Sequence, residues 1–256
     1  MDFTGKTAVV TGGAVGMGGA TTRAFLRDGA NVAVLDIDDP AGQAAVADAG
    51  ERGLFVHCDV AKTQEVDAAF AQVNATFGGV DYLINNAGIV SYNKVADTSE
   101  EEWDRTMDVN LKGAFLCARH ALRSMEERGG GVVVNMGSVQ SYVSQEKVAA
   151  YTTSKTAMLG LTRSIAVDYA PTIRSVTICP GTVDTPLLHN AAQLSPDPAA
   201  VVQECIDMHL LKRIGKPEEI AELILFVCSD KAPFITGQSI RIDGGLGIMV
   251  AGSKQD

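Results

Sequence analysis

The sequence predicts a doubly wound α/β fold: one domain over residues 1–256, built on a mostly parallel sheet of about seven strands. Two observations carry this. Short apolar runs and helical patterns alternate from one end of the chain to the other, and parallel strands joined by helices need the right-handed crossovers that wind such a sheet. No Ser/Gly/Pro-rich linker, low-complexity stretch or internal repeat divides the 256 residues.

The elements follow in order. Thr7-Ala-Val-Val-Thr11 is a short apolar run of the kind buried on both faces of a sheet. Thr11-Gly-Gly-Ala-Val-Gly-Met-Gly18 turns from it into a helix over Met17–Asp28, which Gly29 ends. Asn31-Val-Ala-Val-Leu35 is the second strand, with Asp36 at its tip. Further strands are expected at Leu54–His57, Tyr82–Ile84, Val132–Asn135, Ile173–Ile178 and Ser239–Ile242. Helices are expected at Thr63–Phe77, Glu100–Arg128, Ala150–Tyr169 and Pro217–Cys228. Ser99-Glu-Glu-Glu102 is a capping box for one of them, and Pro217 suits a first helical turn. Leu187–Leu211 shows no such order and reads as a long, irregular, apolar stretch.

Composition narrows the function. Lys and Arg number 21 against 31 Asp and Glu, a net charge of −10, and no basic stripe stands out, so nucleic acid is not an expected partner. The apolar runs are too short to span a bilayer, so no membrane role is expected. The chain reaches a strand almost at once, without a signal peptide. Cys58, Cys117, Cys179, Cys205 and Cys228 are scattered and odd in number, as small core residues in a reducing cytoplasm would be. His57, His120, His189 and His209 form no ligand pair at helical spacing, and no metal is expected.

Two groups of residues carry chemistry. Gly12, Gly16 and Gly18, with Val15 and Met17 between them, lie where a strand becomes a helix. Glycine there lets backbone N–H groups approach a pyrophosphate, which the helix N-terminus also attracts. Asp36 stands where it can accept both ribose hydroxyls of NAD and repel the 2′-phosphate of NADP, and neither Val15 nor Ile37 offers a compensating cation. Downstream, Tyr151 and Lys155 sit one helical turn apart, with Ser138 thirteen residues before the tyrosine. A phenol has a pKa of about 10, and lowering it to about 7–8 takes roughly 3–4 kcal/mol. A cation beside it supplies roughly 1–3 pH units, and oxidised nicotinamide adds more. Tyr151 would then exchange a proton with an alcohol or carbonyl while hydride passes to or from the nicotinamide, and Ser138 would bond the substrate oxygen. Taken alone, the Tyr–Lys pair is an ordinary helix contact and the glycine loop an ordinary turn; together they describe one reaction.

With these residues in order, the chain resembles the short-chain dehydrogenase/reductases over essentially its whole length. Further matches are Asp59-Val60, Asn85-Asn-Ala-Gly88, Asn110, Pro180-Gly181 and Thr236-Gly-Gln-Ser-Ile-Arg-Ile-Asp-Gly-Gly245. The resemblance implies that Asp59 and Val60 contact the adenine and that Asn86, Ala87 and Gly88 lie against the adenosine ribose. It implies that Val183 and Thr185 hold the carboxamide and that Asn110 anchors a water relaying protons from Lys155. It also implies a homotetramer, with the apolar tail Leu246–Val250 packed on a neighbouring subunit. One departure stands out: the family commonly carries Arg-Val-Asn before Pro-Gly, whereas this chain reads Arg174-Ser-Val-Thr-Ile-Cys179 and is a residue shorter between Tyr169 and Pro180.

The substrate is a small molecule. Its pocket is expected between Val139–Lys147 and a lid at about 187–211, with Leu187 apolar and Gln140, Tyr142, Gln145 and His189 as orienting polar groups beside Ser138 and Tyr151. The leading function is NAD-dependent oxidation of a secondary alcohol, cyclic or a diol. A reductase of carrier-bound 3-oxoacyl groups and a non-catalytic dinucleotide-binding protein are the alternatives.

Overall fold

The computed structural model describes residues 1–248. Seven strands form one sheet: β1 (Thr7–Thr11), β2 (Asn31–Asp36), β3 (Gly53–His57), β4 (Tyr82–Asn85), β5 (Gly131–Met136), β6 (Ile173–Pro180) and β7 (Gln238–Ile242). Their spatial order is β3-β2-β1-β4-β5-β6-β7, and every neighbouring pair is parallel. The order reverses between β1 and β4, so the carboxyl ends of these strands frame the crevice where such sheets bind ligands. Despite the shorter approach to Pro180, β6 pairs without a break against β5 and β7.

Side-chain alternation builds two cores. Val10, Val34, Ile84, Val134 and Ile178 point to one face, where α1 (Gly16–Arg27) and α9 (Pro217–Cys228) cover them. Val9, Ala33, Leu35, Leu83 and Val133 point to the other, against α3 (Thr63–Phe77), α5 (Gly113–Glu127) and α6 (Ala149–Tyr169). Central strands buried on both faces explain why β1 and β2 read as unbroken apolar runs.

Three features differ from the sequence expectation. The helix expected over Glu100–Arg128 is α4 (Glu100–Met107) and α5, joined by a π-helical turn at Asp108–Lys112. A further helix, α2 (Asp39–Val46), starts where the Asp38 side chain accepts the Ala41 N–H at 3.0 Å. The stretch expected to be irregular contains α7 (Pro186–Ala192) and α8 (Pro198–Met208), each opened by proline. Asp197 caps the second by accepting the Ala200 N–H at 3.0 Å.

Among the described residues no helix is long and apolar enough to cross a membrane, and no group of three or more metal-ligating side chains converges. The five cysteines are unpaired, and burial pushes the Cys58 and Cys228 thiols up to about 12. The tail expected at Leu246–Val250 begins with a single helical turn at Leu246–Ile248; its last two residues lie outside the described residues.

Candidate active site

At the tip of β1, the Thr11 hydroxyl accepts the Asn86 and Ala87 N–H groups, both at 3.0 Å. The Asn86 amide donates to the Thr11 and Gly12 carbonyls at 3.0 and 2.9 Å. These bonds stitch the segment after β4 to the glycine loop. Gly12 adopts φ +59°, and a Cβ there would stand 3.0 Å from the Ala87 backbone. A Cβ on Gly18 would overlap the Gly12 carbonyl oxygen. Val15, the N-cap residue of α1, makes no side-chain cap and no acid occupies the first turn. Its free N–H groups are therefore left to face an anion. Asp36 completes this end. One carboxylate oxygen accepts the Ala14 N–H at 3.0 Å; the other accepts those of Ile37 and Asp38 at 2.8 and 3.2 Å. The loop and the acid thus hold each other in place, with Val15 and Ile37 exposed beside them. These residues fit a dinucleotide.

The remaining nucleotide-side residues fall around the same sheet ends. Asp59 accepts from Ala61 N–H and the Arg105 guanidinium, and Val60 is buried against Gly113. Pro180 ends β6. Past it, Val183 and Thr185 are buried, and Thr185 lies against Gly16, whose Cβ would stand 3.4 Å away. Met17 packs on the first core.

The second group gathers beyond β5. Tyr151 and Lys155 lie on the first two turns of α6. Lys155 is 5% exposed, its Nζ donates to the Met136 carbonyl at 2.8 Å, and it sits 5.7 Å from the centre of the Tyr151 ring. Ser138 caps the turn after β5, accepting the Gln140 N–H, and its hydroxyl acts on the Tyr151 phenol. Ser141 donates to the Lys155 carbonyl at 2.7 Å, tying that turn to the helix. The π turn presents Asn110, which is buried. Its carbonyl accepts the Ile89 N–H at 2.8 Å, while its two amide protons go to the Ile89 carbonyl and the Ser154 hydroxyl. A Cβ on Gly88 would lie 3.4 Å from both Asn110 Oδ1 and Lys155 Nζ, so the three converge.

Burial governs the electrostatics. It depresses the Lys155 ammonium to about 8, and it raises the Tyr151 phenol, against which the Ser138 hydroxyl acts in the opposite sense. The phenol is thus held above its ordinary value in the protein on its own, with Ser138 rather than Lys155 opposing the effect of burial.

The nominated substrate groups make bonds within the protein or stand exposed. Gln140 bonds Gln145 and Thr152. The Tyr142 hydroxyl bonds Ser239 on β7, and its ring lies under Arg241. His189 is exposed and paired with Asp184 at 2.7 Å. Leu187 is exposed on α7. Sequence reasoning passed over Tyr92, a half-buried phenol that burial raises. It also passed over His209, the buried histidine.

A parallel sheet that reverses beside a glycine loop, with a Tyr–Lys pair whose lysine is buried, defines a nucleotide-dependent oxidoreductase. A family model described as enoyl-(acyl carrier protein) reductase matches residues 12–247. The 2,5-dichloro-2,5-cyclohexadiene-1,4-diol dehydrogenase of Sphingobium indicum is 39% identical over 247 residues, covering 95% of this chain and 98% of that protein. The cis-4-hydroxycyclohexanecarboxylate dehydrogenase of Sinomonas cyclohexanicum is 38% identical over 247 residues, covering 95% and 97%. Among solved structures, the aldohexose dehydrogenase of Thermoplasma acidophilum superposes with a TM-score of 0.90 at 38% identity, covering 98% of this chain and 97% of that one. The chain belongs to the short-chain dehydrogenase/reductase family. It is an oxidoreductase acting on CH–OH groups, with a nicotinamide dinucleotide as its cofactor.

Proposed function

We propose that the protein is an NAD-dependent dehydrogenase of secondary alcohols carried on an apolar ring. The observation that carries the reading is the convergence of Ser138, Tyr151 and Lys155 beyond β5, opposite Asp36 at the tip of β2. When bound, the oxidised cofactor supplies a hydride acceptor and a positive charge beside the phenol. Ser138 holds the substrate oxygen, and Tyr151, as phenolate, takes the hydroxyl proton while the carbinol carbon gives up its hydride and the C=O bond forms. Lys155 supports the phenolate from below and passes the proton on. Because both Asn110 amide protons are engaged, a relay water there would rest on carbonyl oxygens of Asn110, Ile89 and the π turn.

Asp36 favours NAD: its charge would repel a 2′-phosphate, and Val15 and Ile37, exposed beside it, bring no cation. The ring preference is supported by the apolar character of Leu187, Leu194 and Met208 on the lid side and by the six-membered-ring substrates that the two dehydrogenase relatives are named for. Engagement of Gln140, Tyr142 and His189 within the protein leaves few polar groups to orient a sugar. Buried free cysteines suit a reducing cytoplasm, and a homotetramer would cover the apolar residues near Leu246–Ile248.

The test is NADH formation at 340 nm across cyclic, aliphatic, diol and sugar alcohols, each repeated with Tyr151→Phe. Turnover that collapses in the variant supports the reading. The family model's description favours a second one, a reductase of carrier-bound acyl groups. Faster turnover of a carrier-linked ketone with NADPH would put that reading first.

A further inference from the structure

His209 follows α8 and is 1% exposed. Its Nδ1 lies 2.6 Å from the Cys205 carbonyl and its Nε2 3.1 Å from the Thr182 amide nitrogen. A carbonyl can only accept and an amide N–H can only donate, so one ring state satisfies both: neutral, with the proton on Nδ1 and Nε2 as acceptor. The ring is wedged as well as bonded. A Cβ on Gly181 would stand 2.7 Å from Nε2, and one on Gly244 would stand 3.2 Å from the ring carbon Cδ2. Glycine at 181 is what lets the imidazole reach the chain just past β6.

The other side of the same loop is held by Gly215. Its N–H donates to the Thr182 carbonyl at 2.9 Å, and its carbonyl accepts the Asp184 N–H at 2.9 Å. Gly181–Thr185 is therefore clamped between His209 and Gly215, with Thr185 resting against Gly16 of the glycine loop.

We propose that His209 is a positioning residue, which fixes the segment Gly181–Thr185 through the Thr182 N–H and thereby places the nicotinamide end of the cofactor while securing the base of the substrate lid. The proposal rests on the reading that this segment holds the carboxamide. It does not make His209 a participant in proton transfer, since neither nitrogen is free to face a substrate.

Two full-length variants test it. His209→Phe keeps a ring but offers no acceptor, whereas His209→Gln restores one through Oε1. Binding of NADH and of ADP-ribose, which lacks the nicotinamide, is measured for both by calorimetry, alongside hydrogen exchange across residues 181–185. In His209→Phe, NADH binding is expected to weaken on the order of 10-fold, the effect of one buried N–H left without an acceptor. ADP-ribose binding should stay within about 2-fold, and exchange should quicken in 181–185 above the rest of the chain. His209→Gln should recover most of both effects. Equal weakening of NADH and ADP-ribose, or no change in either, overturns the proposal, as does a glutamine variant no better than phenylalanine. If the wild-type protein binds neither ligand, the functional reading fails instead, and the exchange data alone decide whether His209 anchors the segment.

Discussion

Replacing Lys155 by methionine should make the protein inactive and more stable. The ammonium is buried, and its displacement from an ordinary 10.5 to about 8 corresponds to about 3 kcal/mol of charge burial at about 1.4 kcal/mol per pH unit. Methionine has nearly the same length and carries no charge, so it removes that cost. It also leaves the Met136 carbonyl without its donor, a loss of about 1 kcal/mol. The net gain at pH 7 is about 2 kcal/mol, or roughly 4–8 °C in Tm for a chain of this size. The sign with pH is specific. Below pH 8 the lysine is protonated in both folded and unfolded chains, and the burden is complete and constant. Between about 8 and 10.5 the unfolded chain binds the extra proton, so wild-type stability rises with pH. The advantage of methionine should therefore shrink through that window and vanish near its top. Urea unfolding of both proteins at pH 6.5, 8 and 9.5, at one protein concentration, reads this directly. A variant less stable than wild type at pH 7, or a difference flat in pH, would refute the reasoning.

Tyr151→Phe should lower turnover by roughly 10²–10⁴-fold while leaving NADH affinity within about 3-fold, because only proton transfer is removed; steady-state rates and NADH titration separate the two. Asp36→Asn keeps an oxygen for the Ile37 and Asp38 N–H groups but removes the charge, and should move the NADP-to-NAD ratio of kcat/KM roughly 10-fold toward NADP. Gly18→Ala drives a methyl into the Gly12 carbonyl and should lose roughly 1–3 kcal/mol of stability together with NADH binding. Asn110→Ala strands both polar groups of Ile89, and should lower Tm by roughly 5–10 °C with turnover reduced alongside.

What could be read without the structure was what neighbours in sequence decide. Tyr151 and Lys155 meet because they are four apart on a helix, and Gly12, Gly16 and Gly18 need no distant partner to mark a turn. Strands β1 and β2 announce themselves by burial on both faces. The short helices escaped because their patterns are weak: the apolar stripe of α8 is only Val201, Val202, Cys205 and Ile206, and none of its residues is fully buried. The partners of the nominated substrate groups were hidden for a different reason. Tyr142 is claimed by Ser239, 97 residues away, and His189 by Asp184. His209 shows the converse, since the N–H that gives it a role lies 27 residues upstream.

The register of α6 decides whether the Tyr–Lys pair meets Ser138, and a polar chain through the core sets that register. Asn85 on β4 donates to Asn135 on β5 at 2.8 Å, and Asn135 donates to Thr162 on α6 at 2.8 Å. The Thr162 hydroxyl also shares a hydrogen bond with that of Thr177 on β6, 2.6 Å away. Thr162 lies seven residues, two turns, beyond Lys155, on the same helical face. Apolar packing alone would tolerate a small slide of α6 along the sheet, since leucine and valine surfaces are forgiving of register. A slide of one residue would here leave buried amide and hydroxyl groups without partners, at about 1–3 kcal/mol each. The polar chain thus selects one placement of the helix, and that placement sets Lys155 under the carbonyl of Met136.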